Sequence, residues 1–121
     1  MGRRGRRRAR EGAREAPRAT TTAYTDEAGN VLTLRDELSP GTLRELERLS
    51  SAPAASGDDL WQRRVELLFE RLAVRWEIAG LPLEGQRELL GRYRMASPEE
   101  RRSARSALNE HVRAHHPGLD L

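Results

Sequence analysis

A chain of 121 residues supports one small domain, and its lack of cysteine excludes a disulfide framework or a thiolate zinc site. Hydrophobic residues make up 36% and charged ones 34%, a thin supply for a self-sufficient core, so more stability is expected with a partner than without. The net charge of +3 divides unevenly: residues 1–18 hold eight arginines and two glutamates (+6), and the remaining 103 hold fourteen arginines and seventeen acids (−3).

Residues 1–18 carry no aromatic and, after Met1, no aliphatic larger than alanine, so they are expected to be disordered when free. Such a tail either solubilises the chain or acts as an electrostatic arm. As an arm, Arg3, Arg4, Arg6, Arg7, Arg8 and Arg10 would contact nucleic-acid phosphates without sequence preference, because no aromatic is present to stack on bases. No hydrophobic stretch follows this basic start, so no secretory signal is expected, and nothing approaches the ~20 apolar residues of a membrane span. The expected location is the cytoplasm.

Residues 19–34 alternate at Thr20, Thr22 and Tyr24, turn at Asp26–Asn30, and resume at Val31–Leu34, which predicts a β-hairpin. A lone hairpin is marginal in water, so it must lean on helices, and its free edges could accept a partner's strand. Ser39-Pro40 opens a helix over 39–49 with Leu43, Leu46 and Leu49 on one stripe. Ser50–Gly57 reads as a flexible connector.

Asp58–Gly80 is the only long segment with a dense apolar pattern, and it predicts one central helix. At roughly 100° per residue, Trp61, Val65, Leu68, Phe69, Leu72, Trp76 and Ala79 share one arc. Leu60, Leu67, Val74 and Ile78 form a second arc, with Arg64, Arg71 and Arg75 running between the two. A helix with two apolar faces is expected to pack on its own domain with one and to bind a partner with the other. Leu60, Leu67, Val74 and Ile78 are the predicted partner-binding patch, and Arg64, Arg71 and Arg75 its rim.

Leu81-Pro82-Leu83 breaks the chain, a weaker helix follows over 84–95, and Ser97-Pro98-Glu99-Glu100 opens a last helix that runs to about His115. The sum is a mainly α fold, with an N-terminal β-hairpin (19–34) and about four helices packed around a central long helix. It comprises one helical domain over 19–117 preceded by a disordered arginine-rich tail over 1–18.

No catalytic constellation emerges, and no cofactor or metal is expected. His111 and His115 stand four apart on a helix but lack a third ligand at a supporting spacing, and they read as terminal-turn residues facing the helix dipole. The serines sit in caps and linkers, and the carboxylate pairs Asp58-Asp59 and Glu99-Glu100 lie at helix starts. A non-enzymatic binding protein is expected.

Two blocks, YTDEAGNVLTLRDELSPGTLRELERL and RLAVRWEIAGLPLEGQRELLGRYRMASPEERR, resemble the tail assembly chaperones of actinobacterial long-tailed phages and prophages. The resemblance covers roughly residues 22–105 and leaves the arginine tail outside. It implies a non-enzymatic protein, present in several copies, that coats a tape-measure protein during tail assembly in the bacterial cytoplasm. A nucleic-acid-binding protein that uses the arginine arm and a small structural or connector protein of the virion are the rival expectations.

Overall fold

The computed structural model describes residues 20–51 and 57–119. The chain runs β1 (Thr21–Thr25), β2 (Val31–Arg35), α1 (Pro40–Ser51), α2 (Gly57–Leu72), β3 (Ala73–Ile78), β4 (Leu81–Glu84), α3 (Gln86–Arg94) and α4 (Pro98–His115). The four strands form one antiparallel sheet in the order β1-β2-β3-β4. The fold is therefore mixed α/β, and the mainly α architecture expected from the sequence is overturned.

The correction lies in Asp58–Gly80. Its first part is helix α2; its second is strand β3, which begins at the residue after the helix ends. From Val74 onward the apolar period is two, with Val74, Trp76 and Ile78 separated by Arg75 and Glu77. Ala79 (φ 54°) and Gly80 (φ 79°) then make a two-residue turn with both φ angles positive, which matches the twist of a hairpin. Trp76 is four residues from Leu72 and so satisfies the helical spacing as well. Half of the apparent second apolar arc, Val74 and Ile78, arose from projecting this strand onto a helix, whereas Leu60 and Leu67 do lie on α2.

The first hairpin is held at its tip by Asp26, whose carboxylate accepts from the Ala28 and Asn30 N–H groups, with Gly29 at φ 87°. Asn30 Oδ1 in turn accepts from the Ala79 N–H at 3.1 Å, joining the two hairpin tips. Leu32 and Leu34 of β2 and Trp76 of β3 enter the core, while Arg35 and Arg75 stand exposed. The helices cover the inward face, which makes a two-layer sandwich.

At the centre, Phe69 packs against Trp76 and Tyr93 with ring centroids 5.5 and 4.8 Å apart, among the buried Leu68, Leu72, Leu89 and Leu108. Helix α4 starts in a capping box: Ser97 Oγ accepts from the Glu100 N–H, and the Glu100 carboxylate accepts from the Ser97 N–H. Of the expected connector, Ser50 and Ser51 finish α1 and Gly57 opens α2; residues 52–56 lie outside the described residues. So does the basic tail, with Arg3, Arg4, Arg6, Arg7, Arg8 and Arg10. Among the described residues, no helix is long and apolar enough to cross a membrane.

Candidate functional site

Strand order leaves β1 and β4 at the edges of the sheet. The phase of the β1–β2 ladder follows from two bonds that flank it. The Asp36 N–H donates to the Thr20 carbonyl, and the Asp26 N–H donates to the Asn30 carbonyl, both at 2.9 Å. Hydrogen-bonded pairs alternate along an antiparallel ladder, so Thr22 and Tyr24 also bond towards β2. The N–H and C=O groups of Thr21, Ala23 and Thr25 point away from the sheet. All three residues are exposed.

Beside this edge lies a cleft of about 1030 Å³ between the first hairpin and α4. The helix contributes small side chains to its wall, Ser103, Ala107 and Ala114 among them, and the strand contributes Ala23 and Thr25. Room for an added chain therefore exists next to an unsatisfied backbone row.

Helix and strand are fastened to each other by a buried histidine. His111 Nε2 lies 2.6 Å from the Arg35 carbonyl, which can only accept, so Nε2 carries the proton. Nδ1 is then the acceptor, and the Tyr24 hydroxyl donates to it at 2.8 Å. Burial holds the His111 pKa below its ordinary value, helped by the neighbouring His115 and His116 and opposed by the Arg35 carbonyl and Asp36. Burial, with Glu110 and Asp36 nearby, pushes the Tyr24 phenol up, which keeps it a donor. Asp36 is held below the usual carboxylate range, chiefly by the Thr22 hydroxyl. His116 Nε2 donates to the Asp36 carbonyl at 3.0 Å and closes the end of the latch.

Asp36, His111 and His115 do bring ligand atoms within 4.8 Å of one another. The trio does not suit a metal ion. Both His111 nitrogens are engaged within the fold, one as a donor, and Asp36 Oδ1 already accepts from Thr22. Nor is His111 a residue facing the helix dipole: it is the pin between the first hairpin and the last helix.

The seven residues predicted to bind a partner do not make one surface. Leu60, Arg64, Leu67 and Arg71 lie along one side of α2, half-buried, and that side meets α1. Arg71 Nη1 donates to Thr42 Oγ1 at 3.3 Å, and Arg64 lines a small hollow with Leu43, Leu46 and Glu47 of α1. Val74, Arg75 and Ile78 are on β3: Ile78 packs against the core, Val74 is half-buried, and Arg75 is exposed among Glu77 and Glu84. Helix α2 is indeed packed on two sides, but the second neighbour is α1 of the same chain.

Compared with protein-family models, curated proteins and solved structures, the chain matches none.

Proposed function

We propose that this chain is a non-enzymatic binding protein that takes up an extended segment of another protein along β1. As its role we propose that of a tail assembly chaperone with a tape-measure protein as client, several copies binding along one client. The observation that carries the binding reading is the outward row of backbone groups at Thr21, Ala23 and Thr25 beside an open cleft. The client's identity comes from the resemblance of residues 22–105.

The energetics suit weak, repeated contacts. Each added backbone hydrogen bond contributes a net of roughly 0.5–1.5 kcal/mol. Ordering each residue of the incoming segment costs about 1–2 kcal/mol. Backbone pairing alone thus roughly breaks even, and side chains entering the cleft beside α4 must supply the surplus. A coat that later gives way to other subunits needs such a balance.

Co-expression tests both parts. The tape-measure protein should stay soluble and co-purify with the wild-type chain. Ala23→Pro should abolish capture while leaving the melting temperature nearly unchanged, because the N–H it removes takes no part in the ladder. Retained capture by Ala23→Pro would place binding elsewhere. An insoluble tape-measure protein beside the wild-type chain would remove the client but not the edge.

A further inference from the structure

The cleft beside β1 is acidic. Glu27, Glu99 and Glu110 line it, are exposed, and make no ion pair among the described residues. Asp26 and Glu100 line it too, the first engaged in the hairpin turn and the second paired with Arg92. Against these stand Arg102 and His115. Such a lining repels nucleic-acid phosphates, and a second copy docking edge to edge would bring two acidic linings together. Ser103, Ser106 and Ala107, on the helix wall between Glu99 and Glu110, leave room for long incoming side chains.

β1 and α4 run in opposite directions. Thr22 reaches His115 through Asp36, and Tyr24 bonds to His111, one turn earlier in the helix. The strand thus leads from the end of α4 towards its start, and the turn bearing Glu27 follows on the side of Glu99. In a strand added to β1, the residues opposite Thr22 and Tyr24 turn their side chains to the same inward face as those two, towards α4. Such positions recur at every second residue, so two of them four residues apart span about 13 Å. Glu99 and Glu110 stand about 16 Å apart along α4, at roughly 1.5 Å per residue. The flexible stems of basic side chains take up the difference. We propose that the segment taken up by β1 is basic, with arginine or lysine at inward positions four residues apart, one against Glu110 and the other against Glu99 and Glu27. The proposal rests on the reading of β1 as an open edge and adds the chemistry of what fills it. Charge then supplies part of the surplus that backbone pairing lacks.

Two synthetic nine-residue peptides test this on the full chain. Each alternates threonine with valine, except that positions 3 and 7 are both arginine in one and both glutamine in the other. At low salt the arginine peptide should bind about tenfold more tightly than the glutamine peptide. It should also slow amide exchange at Thr21 and Thr25. Thr22 and Tyr24 donate into the ladder and should stay protected in every variant, which shows that each remains folded. The arginine advantage should vanish at about 1 M salt, where screening shrinks to about 3 Å. It should vanish equally in the triple variant Glu27→Gln, Glu99→Gln, Glu110→Gln, and Ala23→Pro should remove binding of both peptides. Equal affinity for the two peptides, both lost in Ala23→Pro, overturns the basic class and leaves the edge reading standing. An arginine advantage that survives the triple variant overturns it as well. Arginine-dependent binding that Ala23→Pro leaves intact does the same, since an acidic surface and not the strand then holds the peptide. If neither peptide slows Thr21 and Thr25, the proposal and the edge reading fall together. Protection of those amides that rises with protein concentration, together with dimers in sedimentation, assigns the edge to a second copy and overturns both.

Discussion

Strand β4 closes one side of the sheet, strand β1 leaves the other open, and the difference can be followed residue by residue. β4 has four residues, and in the two-residue hairpin its pair Ile78–Leu81 is hydrogen-bonded, so Pro82 and Glu84 face outward. Pro82 has no N–H to offer, which leaves Glu84 as the outward donor, itself charged and next to the start of α3. β1 has five residues, no proline, no charge, and three outward donors at Thr21, Ala23 and Thr25. One edge is blunted by ordinary means; the other lacks them and has a cleft at its flank. An edge left unprotected while its counterpart is protected is the strongest physical reason to look for a partner at β1.

That contrast can be broken at the latch, where the largest effect is expected. His111→Ala removes a buried ring and two hydrogen bonds, and it should destabilise the protein by about 2–4 kcal/mol in urea unfolding. It should also raise amide exchange in β1 more than in β4. The same histidine predicts a pH dependence. Its folded pKa lies below the unfolded value near 6.5, so the unfolded chain takes up a proton first as pH falls. The latch contribution is complete above the unfolded pKa and is lost as pH drops towards the folded one, at up to about 1.4 kcal/mol per pH unit. Asp36 acts in the same direction at lower pH, since its carboxyl is held below its ordinary value. In His111→Gln the upper of these two losses should disappear.

Smaller effects sharpen the comparison from the β4 side. Ala79 sits at φ 54°, a conformation that asparagine tolerates better than alanine, so Ala79→Asn should stabilise the second hairpin by about 0.5–1 kcal/mol. Pro82→Ala should change stability by less than about 0.5 kcal/mol and yet unblock the β4 edge. Concentration-dependent sedimentation should detect new self-association in that variant and none in wild type. If Pro82→Ala remains as monodisperse as wild type, proline is not what guards that edge.

Much of this was written in local sequence. The Asp26–Asn30 turn between alternating segments marks the first hairpin, and Ser97-Pro98-Glu99-Glu100 marks the start of α4 to the residue. A lone hairpin implies a free edge on both its strands, and only β1 has one, because β2 pairs with β3. The second hairpin was hidden because no cap, glycine or proline stands between Leu72 and Ala73, and because Trp76 fits both periods. Val74, Trp76 and Ile78 alternating before Ala79-Gly80 were the available signal, and a helical reading of the preceding turns outweighed it. Locating β1 beside α4 required the contact between Tyr24 and His111, 87 positions apart, which no local pattern encodes.

The direct passage from α2 into β3 has a further consequence. Leu72 and Ala73, the two residues at that join, are both buried, and no loop separates them to absorb a change of length. A single inserted residue there would turn the strand over, sending Trp76 to solvent and Arg75 into the interior. The same insertion between Asp26 and Asn30 would only enlarge a surface bend. Homologous chains should therefore vary freely in length at the first bend and keep an invariant count across the join.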